Sequence, residues 1–174
     1  MRRLVKAGLV VLALFGSAAA LRAASFDGPY VRYDSQGKWQ AVRVAITDRG
    51  LEKVVREGAP GSTVEIEAVG PRPAFSVVLR GVPPAGPARV GLSDGVPVFL
   101  MADSHGEYEI CTELLIRQGI IGDDLKWSFG NGQLVVLGDM FDRGPRQTEI
   151  LWLLYKLEAE AQVAGGRVHI LLGN

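Results

Sequence analysis

Hydrophobic positions in this chain change their period near residue 93. Beyond it, the stretches 96–101, 133–137 and 167–172 are short continuous apolar runs of the kind that forms buried strands. Between them, helical spacing predicts a helix over 108–118 with Ile110, Leu114 and Leu115 facing inward. A second is predicted over 149–161 with Ile150, Leu153, Leu154 and Leu157 inward. A strand-helix-strand-helix-strand order implies a parallel sheet, whose binding crevice lies beyond the carboxyl ends of its strands. Before residue 93 the pattern is strand-like and often broken. Residues 30–33 and 39–44 flank the turn-forming Asp34, Ser35, Gln36 and Gly37 and predict a hairpin. Val64, Ile66 and Ala68 alternate with Glu65 and Glu67, and 76–79 offers another short strand. Residues 51–56 carry apolar spacing suited to a turn or two of helix, ended by Gly58 and Pro60. Seven of the nine prolines fall between positions 60 and 97, which excludes long helices there.

The expected organisation is therefore a leader over residues 1–24, a small β-rich module with its linker over 26–92, and an α/β unit over 93–174. The linker itself is the Pro- and Gly-rich stretch 81–91. The leader has a basic start (Arg2, Arg3, Lys6), an apolar run from Ala7 to Leu21 and small-residue sites at its end, as a secretory signal does. That run is shorter than the roughly 18 residues of a spanning helix, so no stable membrane span is expected after cleavage, and the location expected is periplasmic or secreted.

Charge changes meaning with the leader. The chain has 174 residues, 48% hydrophobic and 22% charged, with 19 basic against 19 acidic side chains. Without Arg2, Arg3, Lys6 and Arg22 the nineteen basic residues fall to fifteen against nineteen acids, a net charge of −4, which argues against a nucleic-acid partner. The single cysteine, Cys111, excludes an internal disulfide and reads as a small buried apolar residue. Phe26, Tyr30, Tyr33 and Trp39 offer either a recognition surface or the core of the module.

Each of the three predicted parallel strands runs into chemically competent residues. After the first comes Asp103-Ser104-His105-Gly106, where a carboxylate and an imidazole two residues apart can reach one ion; alone, the string also fits a capping aspartate beside a surface histidine. The second is followed by Gly138-Asp139-Met140-Phe141-Asp142-Arg143-Gly144. Asp139 could bridge two cations there, and Arg143 offers a planar fork to a phosphate. Asp142 fits either a group that orients a histidine or a helix-capping acid. Gly173-Asn174 follows the third strand and would present an amide oxygen to a cation. Asp103, Asp139 and Asn174 lie 36 and 35 residues apart, which adjacent parallel strands would bring into one crevice. His169, inside the third strand, reads as a packed or hydrogen-bonded strand residue.

The order D-x-H-G, GDxxDRG, GN resembles the calcineurin-like metallophosphoesterases, and its arginine-bearing middle motif is similar to their phosphoprotein phosphatase branch. The leader, the Asp27-Gly28-Pro29-Tyr30-Val31 string and the β-rich module look like the bacterial Shewanella-like phosphatases. The resemblance covers roughly residues 94–174. It implies the first half of a metallophosphoesterase sandwich, built of parallel strand-helix-strand units and preceded by the small β-rich module. It further implies two divalent ions (Mn, Fe or Zn), with Asp103 and His105 on one, Asp139 bridging and Asn174 on the second. Arg143 would bind the substrate phosphate, and Asp142 would orient the histidine that protonates the leaving group. In the family that histidine directly follows the asparagine, so the chain is expected to break off at Asn174 from a longer reading frame. Isolated, it is then expected to be poorly soluble or bound to a complementing partner. The implied activity is hydrolysis of a phosphorylated protein or peptide, or of a small phosphoester, by metal-activated water. The alternatives are a dinucleoside polyphosphate hydrolase or, for these 174 residues alone, a catalytically incompetent fragment or pseudoenzyme.

Overall fold

The computed structural model describes residues 25–59, 61–81, 91 and 94–174; the leader and most of the linker lie outside the described residues. An antiparallel meander comes first, formed by β1 (Ser25–Tyr33), β2 (Trp39–Thr47) and β3 (Gly50–Gly58) in that order. A hairpin of β4 (Thr63–Ile66) and β5 (Phe75–Val78) follows. Next is a parallel sheet of β6 (Val98–Met101), β7 (Gln133–Val136) and β8 (Arg167–Ile170), ordered β6-β7-β8. Its two crossovers carry α1 (Tyr108–Arg117) and α2 (Gln147–Val163). The α/β expectation and the β-rich first part are both met.

Several elements follow directly from the pattern. The hairpin at Asp34–Gly37 closes as expected, with Asp34 Oδ1 accepting from the Gln36 and Lys38 amides at 2.8 and 2.9 Å. Val64 and Ile66 point inward and Glu65 outward. Helix α2 buries Ile150, Leu153, Leu154, Leu157 and Ala161, a continuous helical stripe. It ends where Gly165 turns left-handed, its amide donating to Gln162 and that of Gly166 to Ala161, the paired bonds that close a helix C-terminus.

Two local expectations are overturned. Residues 51–56 belong to strand β3, not to a helix, because all nine positions from Gly50 to Gly58 pair with β2. The helix-like spacing of Leu51, Val54 and Val55 carries no burial information, since all three face solvent, at 75, 47 and 43% exposed. Helix α1 is rotated from the expected face. It buries Tyr108, Cys111, Thr112 and Leu115, and leaves Ile110 69% exposed and Leu114 39% exposed. The buried polar Thr112 is satisfied by donating to Tyr108 O at 2.8 Å and accepting from Arg72 Nε at 3.0 Å.

One core runs through both parts, joining Trp39, Val64, Ile66, Phe75, Val77 and Leu79 of the module to Leu115, Leu134, Val136, Leu153 and Leu157. Polar clasps reinforce it. Arg72 reaches Thr112 and Glu113 on α1. The Arg80 backbone amide donates to Tyr155 Oη at 2.7 Å, Tyr33 Oη donates to Arg80 O at 2.7 Å, and Trp152 Nε1 donates to Pro29 O at 2.9 Å. The module thus braces both helices. Trp39 and Tyr33 serve this packing, whereas Tyr30 stays about half exposed. On the parallel sheet, alternate residues Met101, Leu134, Val136 and Val168 are buried, while Val98 and Leu100 on the other face are 39 and 60% exposed. Among the described residues no helix is long and apolar enough to cross a membrane.

Candidate metal and phosphate site

The carboxyl ends of β6, β7 and β8 carry three loops joined through their backbones. The Asp103 amide donates to Gly138 O at 3.1 Å, the His105 amide to Asp139 O at 3.0 Å, and the Asp139 amide to Leu172 O at 3.3 Å. These bonds continue the sheet beyond its strands, so the three sequence clusters lie side by side at one end of the sheet.

The loops bend by an unusual route. Asp103, His105, Asp139, Asp142 and Arg143 all have positive φ, between 43° and 74°, and the only other non-glycine residue with this conformation among the described residues is Leu125. Each such residue costs about 1–3 kcal/mol, and this strain tends to collect at functional sites. Asp103 and His105 therefore do not converge through extended alternation. Two left-handed residues turn them together, with His105 Nε2 standing 3.7 Å from Asp103 Oδ1.

His105 is well prepared as a ligand. Its Nδ1 lies 3.0 Å from Phe141 O, and a carbonyl can only accept, so Nδ1 carries the proton and Nε2 offers its lone pair beside Asp103. The imidazole is largely buried and the carboxylate open, at 19 and 64% side-chain exposure. Between them, Ser104 Oγ is the buried side-chain polar atom without a hydrogen-bond partner among the described residues. A buried hydroxyl without a partner, on the residue between these two candidate ligands in sequence, fits a site that an ion or water completes.

Asp139 Oδ1 accepts from the Asn174 amide at 3.2 Å, which joins the second and third clusters. Asp142 and Arg143 sit exposed at the loop tip and engage each other, with Asp142 Oδ1 accepting from the Arg143 amide at 2.8 Å and Oδ2 lying 3.7 Å from Arg143 Nε. Neither makes a hydrogen bond or ion pair with Asp103, His105, Asp139 or Asn174 in the described residues. Nor does any group of three or more His, Cys, Asp or Glu side chains among those residues form a ready metal cluster. The pair Asp103–His105 could hold one divalent cation, and Asp139 with Asn174 stands beside it. Two carboxylates, an imidazole and an amide suit a transition metal.

Three contributors have no obvious sequence signal. The Phe141 carbonyl fixes His105 through a backbone atom. Met140 is completely buried and anchors a loop otherwise made of polar residues. Ser104 occupies a position that two stronger ligand types flank. His169 meets its strand-residue expectation, with Nε2 2.9 Å from Gln133 Oε1.

No family model matches the chain. It is 36% identical over 74 residues to Shewanella-like protein phosphatase 2 of Arabidopsis thaliana, covering 42% of this chain and 19% of that one. Over 77 residues it is 35% identical to Shewanella-like protein phosphatase 1 of Plasmodium berghei, covering 44% and 21%. Its fold matches the crystal structure of a cold-active protein-tyrosine phosphatase of a psychrophilic Shewanella species, with a TM-score of 0.62 and 33% identity over 86% of this chain and 43% of that one. The chain is similar to the Shewanella-like phosphatases and spans less than half the length of each of these relatives.

Proposed function

We propose that this chain carries the metal- and phosphate-binding first half of a phosphoester hydrolase of the calcineurin-like type, acting on phosphorylated proteins or peptides. The observation that carries the reading is the His105–Asp103 pair, with its tautomer fixed by the Phe141 carbonyl, in a crevice where Asp139 and Asn174 also arrive. Similarity to phosphatases along most of the described fold supports it. In this reading the exposed apolar face of the parallel sheet packs against a second layer of a sandwich.

Asp103 and His105 would hold one divalent ion of Mn, Fe or Zn type, with Asp139 shared and Asn174 on the second. Bound, such ions supply a water of lowered pKa and positive charge for the phosphoryl oxygens. The rest falls to the chain's own groups. Arg143, exposed and held only by its neighbour Asp142, is free to swing its guanidinium onto two oxygens of an incoming phosphate. Asp142, exposed at the loop tip, would orient a proton-donating imidazole other than His105 and His169, which are engaged by Phe141 and Gln133. The backbone junctions fix the spacing of the loops, so on binding the side chains turn on a backbone already in place. The leader would deliver the protein to the periplasm or beyond.

The test is a comparison of phosphate release from phosphotyrosyl and phosphoseryl peptides with cleavage of a dinucleoside tetraphosphate, each in Mn(II), using the completed full-length protein and its Asp139→Asn variant. Peptide dephosphorylation lost in the variant is expected. Preferential tetraphosphate cleavage would reassign the substrate, and full turnover by Asp139→Asn would remove the bridging role.

A further inference from the structure

Resting on the metal-site reading above, we infer that Gly144 and Gly173 are positioning residues that set the spacing of the three strand-end loops and so aim His105 and Asp139. At Gly144 the requirement is room. Its amide donates to His105 O at 2.6 Å, and the Arg146 amide donates to Gly106 O at 3.1 Å, so the second loop lies backbone to backbone on the first. A Cβ on Gly144 would stand 2.6 Å from the Gly106 carbonyl carbon and closer still to His105 O. Backbone atoms cannot yield as a flexible side chain would, so a methyl group there must part the loops. Phe141 belongs to the second loop, and its carbonyl is what holds His105 Nδ1. Parting the loops lengthens that bond and releases the imidazole to rotate or change tautomer.

Gly173 acts on the other ligand. Its φ is +85°, and a Cβ there would stand 2.5 Å from the Asp139 backbone nitrogen, 2.9 Å from Asp139 Cγ and closer to Oδ1, the oxygen that accepts from the Asn174 amide. A methyl group would displace the Asp139 carboxylate and strain the Asp139–Leu172 junction, and it has no contact with the Phe141 carbonyl that holds His105 Nδ1. The two positions therefore have separable effects. Gly119 supplies the control: its φ is +69° with no atom within 4 Å of an added Cβ, so Gly119→Ala carries the conformational cost without the collision.

The experiment is a Mn(II) titration of the full chain and of Gly144→Ala, Gly173→Ala and Gly119→Ala. It is joined to nitrogen NMR of the His105 ring in metal-free protein. Gly144→Ala is expected to mix the His105 tautomers and to weaken Mn(II) binding about tenfold to a hundredfold. Gly173→Ala should weaken binding comparably with the tautomer unchanged, and Gly119→Ala should lose stability yet bind as the parent does. Binding by the Gly144 and Gly173 variants within twofold of the parent, or an equal loss in Gly119→Ala, overturns the inference. If the parent takes up no Mn(II), the metal reading falls, and a single Nδ1-protonated His105 in Gly144→Ala then overturns the spacing role separately. Should Gly144→Ala not fold, Gly173→Ala, at an exposed position away from the core, decides alone.

Discussion

Arg80→Ala measures how firmly the β-rich module holds α2, the helix that begins where the Asp139–Gly144 loop ends. The guanidinium of Arg80 lies 3.9 Å above the Tyr155 ring, donates to Tyr155 O at 3.0 Å and pairs with Glu158 at 2.7 Å. The ion pair is open at both ends, 37 and 48% exposed, and contributes about 0.5 kcal/mol. Stacking on the ring adds about 0.5–1 kcal/mol, and the hydrogen bond about 1 kcal/mol. The three share one side chain and do not sum freely, so a loss of about 2 kcal/mol is expected. In a chain of this size, that lowers Tm by about 4–8 °C. Calorimetry of Arg80→Ala, Tyr155→Leu and the double variant measures the loss and the coupling. The backbone bond from Arg80 N to Tyr155 Oη persists in Arg80→Ala but not in Tyr155→Leu, so the second variant should fall further. A melt of Arg80→Ala within 1 °C of the parent, or coupling below about 0.3 kcal/mol, would refute the clasp.

Arg143→Ala should raise KM for a phosphopeptide about tenfold to a hundredfold with a smaller change in kcat, since a charge-assisted hydrogen bond is worth about 1.5–3 kcal/mol; equal KM values in a steady-state assay would exclude it as the phosphate fork. The Arg72 and Arg117 guanidiniums hold the Glu113 carboxyl below its usual value. A carboxyl depressed on folding contributes stability that is fully present above its unfolded pKa and is lost as pH falls through the depressed one, so the Tm difference between the parent and Glu113→Gln should close on acidification below the ordinary carboxylate range. Burial pushes the Cys111 thiol up to about 12, so at pH 8 a thiol reagent should leave it unmodified until denaturant is added. The exposed face at Val98 and Leu100 should bind a hydrophobic dye, and Leu100→Lys should reduce that signal without lowering Tm.

What the sequence made legible follows from periodicity backed by burial. Helix α2 was readable because Ile150, Leu153, Leu154 and Leu157 all enter the core, and the candidate site residues were readable because each lies shortly after an apolar strand, although β6 and β8 prove to be buried on one face only. Strand β3 was not, since its apolar residues face solvent and only the nine-residue pairing with β2 decides its conformation. On α1 the competing stripes differ by one or two positions, and Arg72, from 40 residues earlier in the chain, chooses between them by satisfying Thr112. Within the site, residue types announced Asp103, His105 and Asp139. The Phe141 carbonyl and the room required at Gly144 are properties of backbone against backbone, for which a residue string has no letter.

The same distinction bears on where the site is vulnerable. Five left-handed ligand-loop residues at about 1–3 kcal/mol each represent a load of roughly 5–15 kcal/mol, comparable to the whole stability of an ordinary domain. The bonds within the second loop, from the Arg143 amide to Asp142 Oδ1 and from the Gly144 amide to Asp142 O, offset only part of that load. It is held by the amide-to-carbonyl junctions between loops, by Met140 in the core beneath them, and by α1 and α2, which leave the loops in fixed directions because the module braces both. Loosening any of these supports lets the strained residues relax toward ordinary backbone angles, and Asp103 and His105 then part. The module is therefore coupled to the strand-end loops through the two helices, and on the metal-site reading proposed above a damaged clasp should weaken Mn(II) uptake before it unfolds the chain.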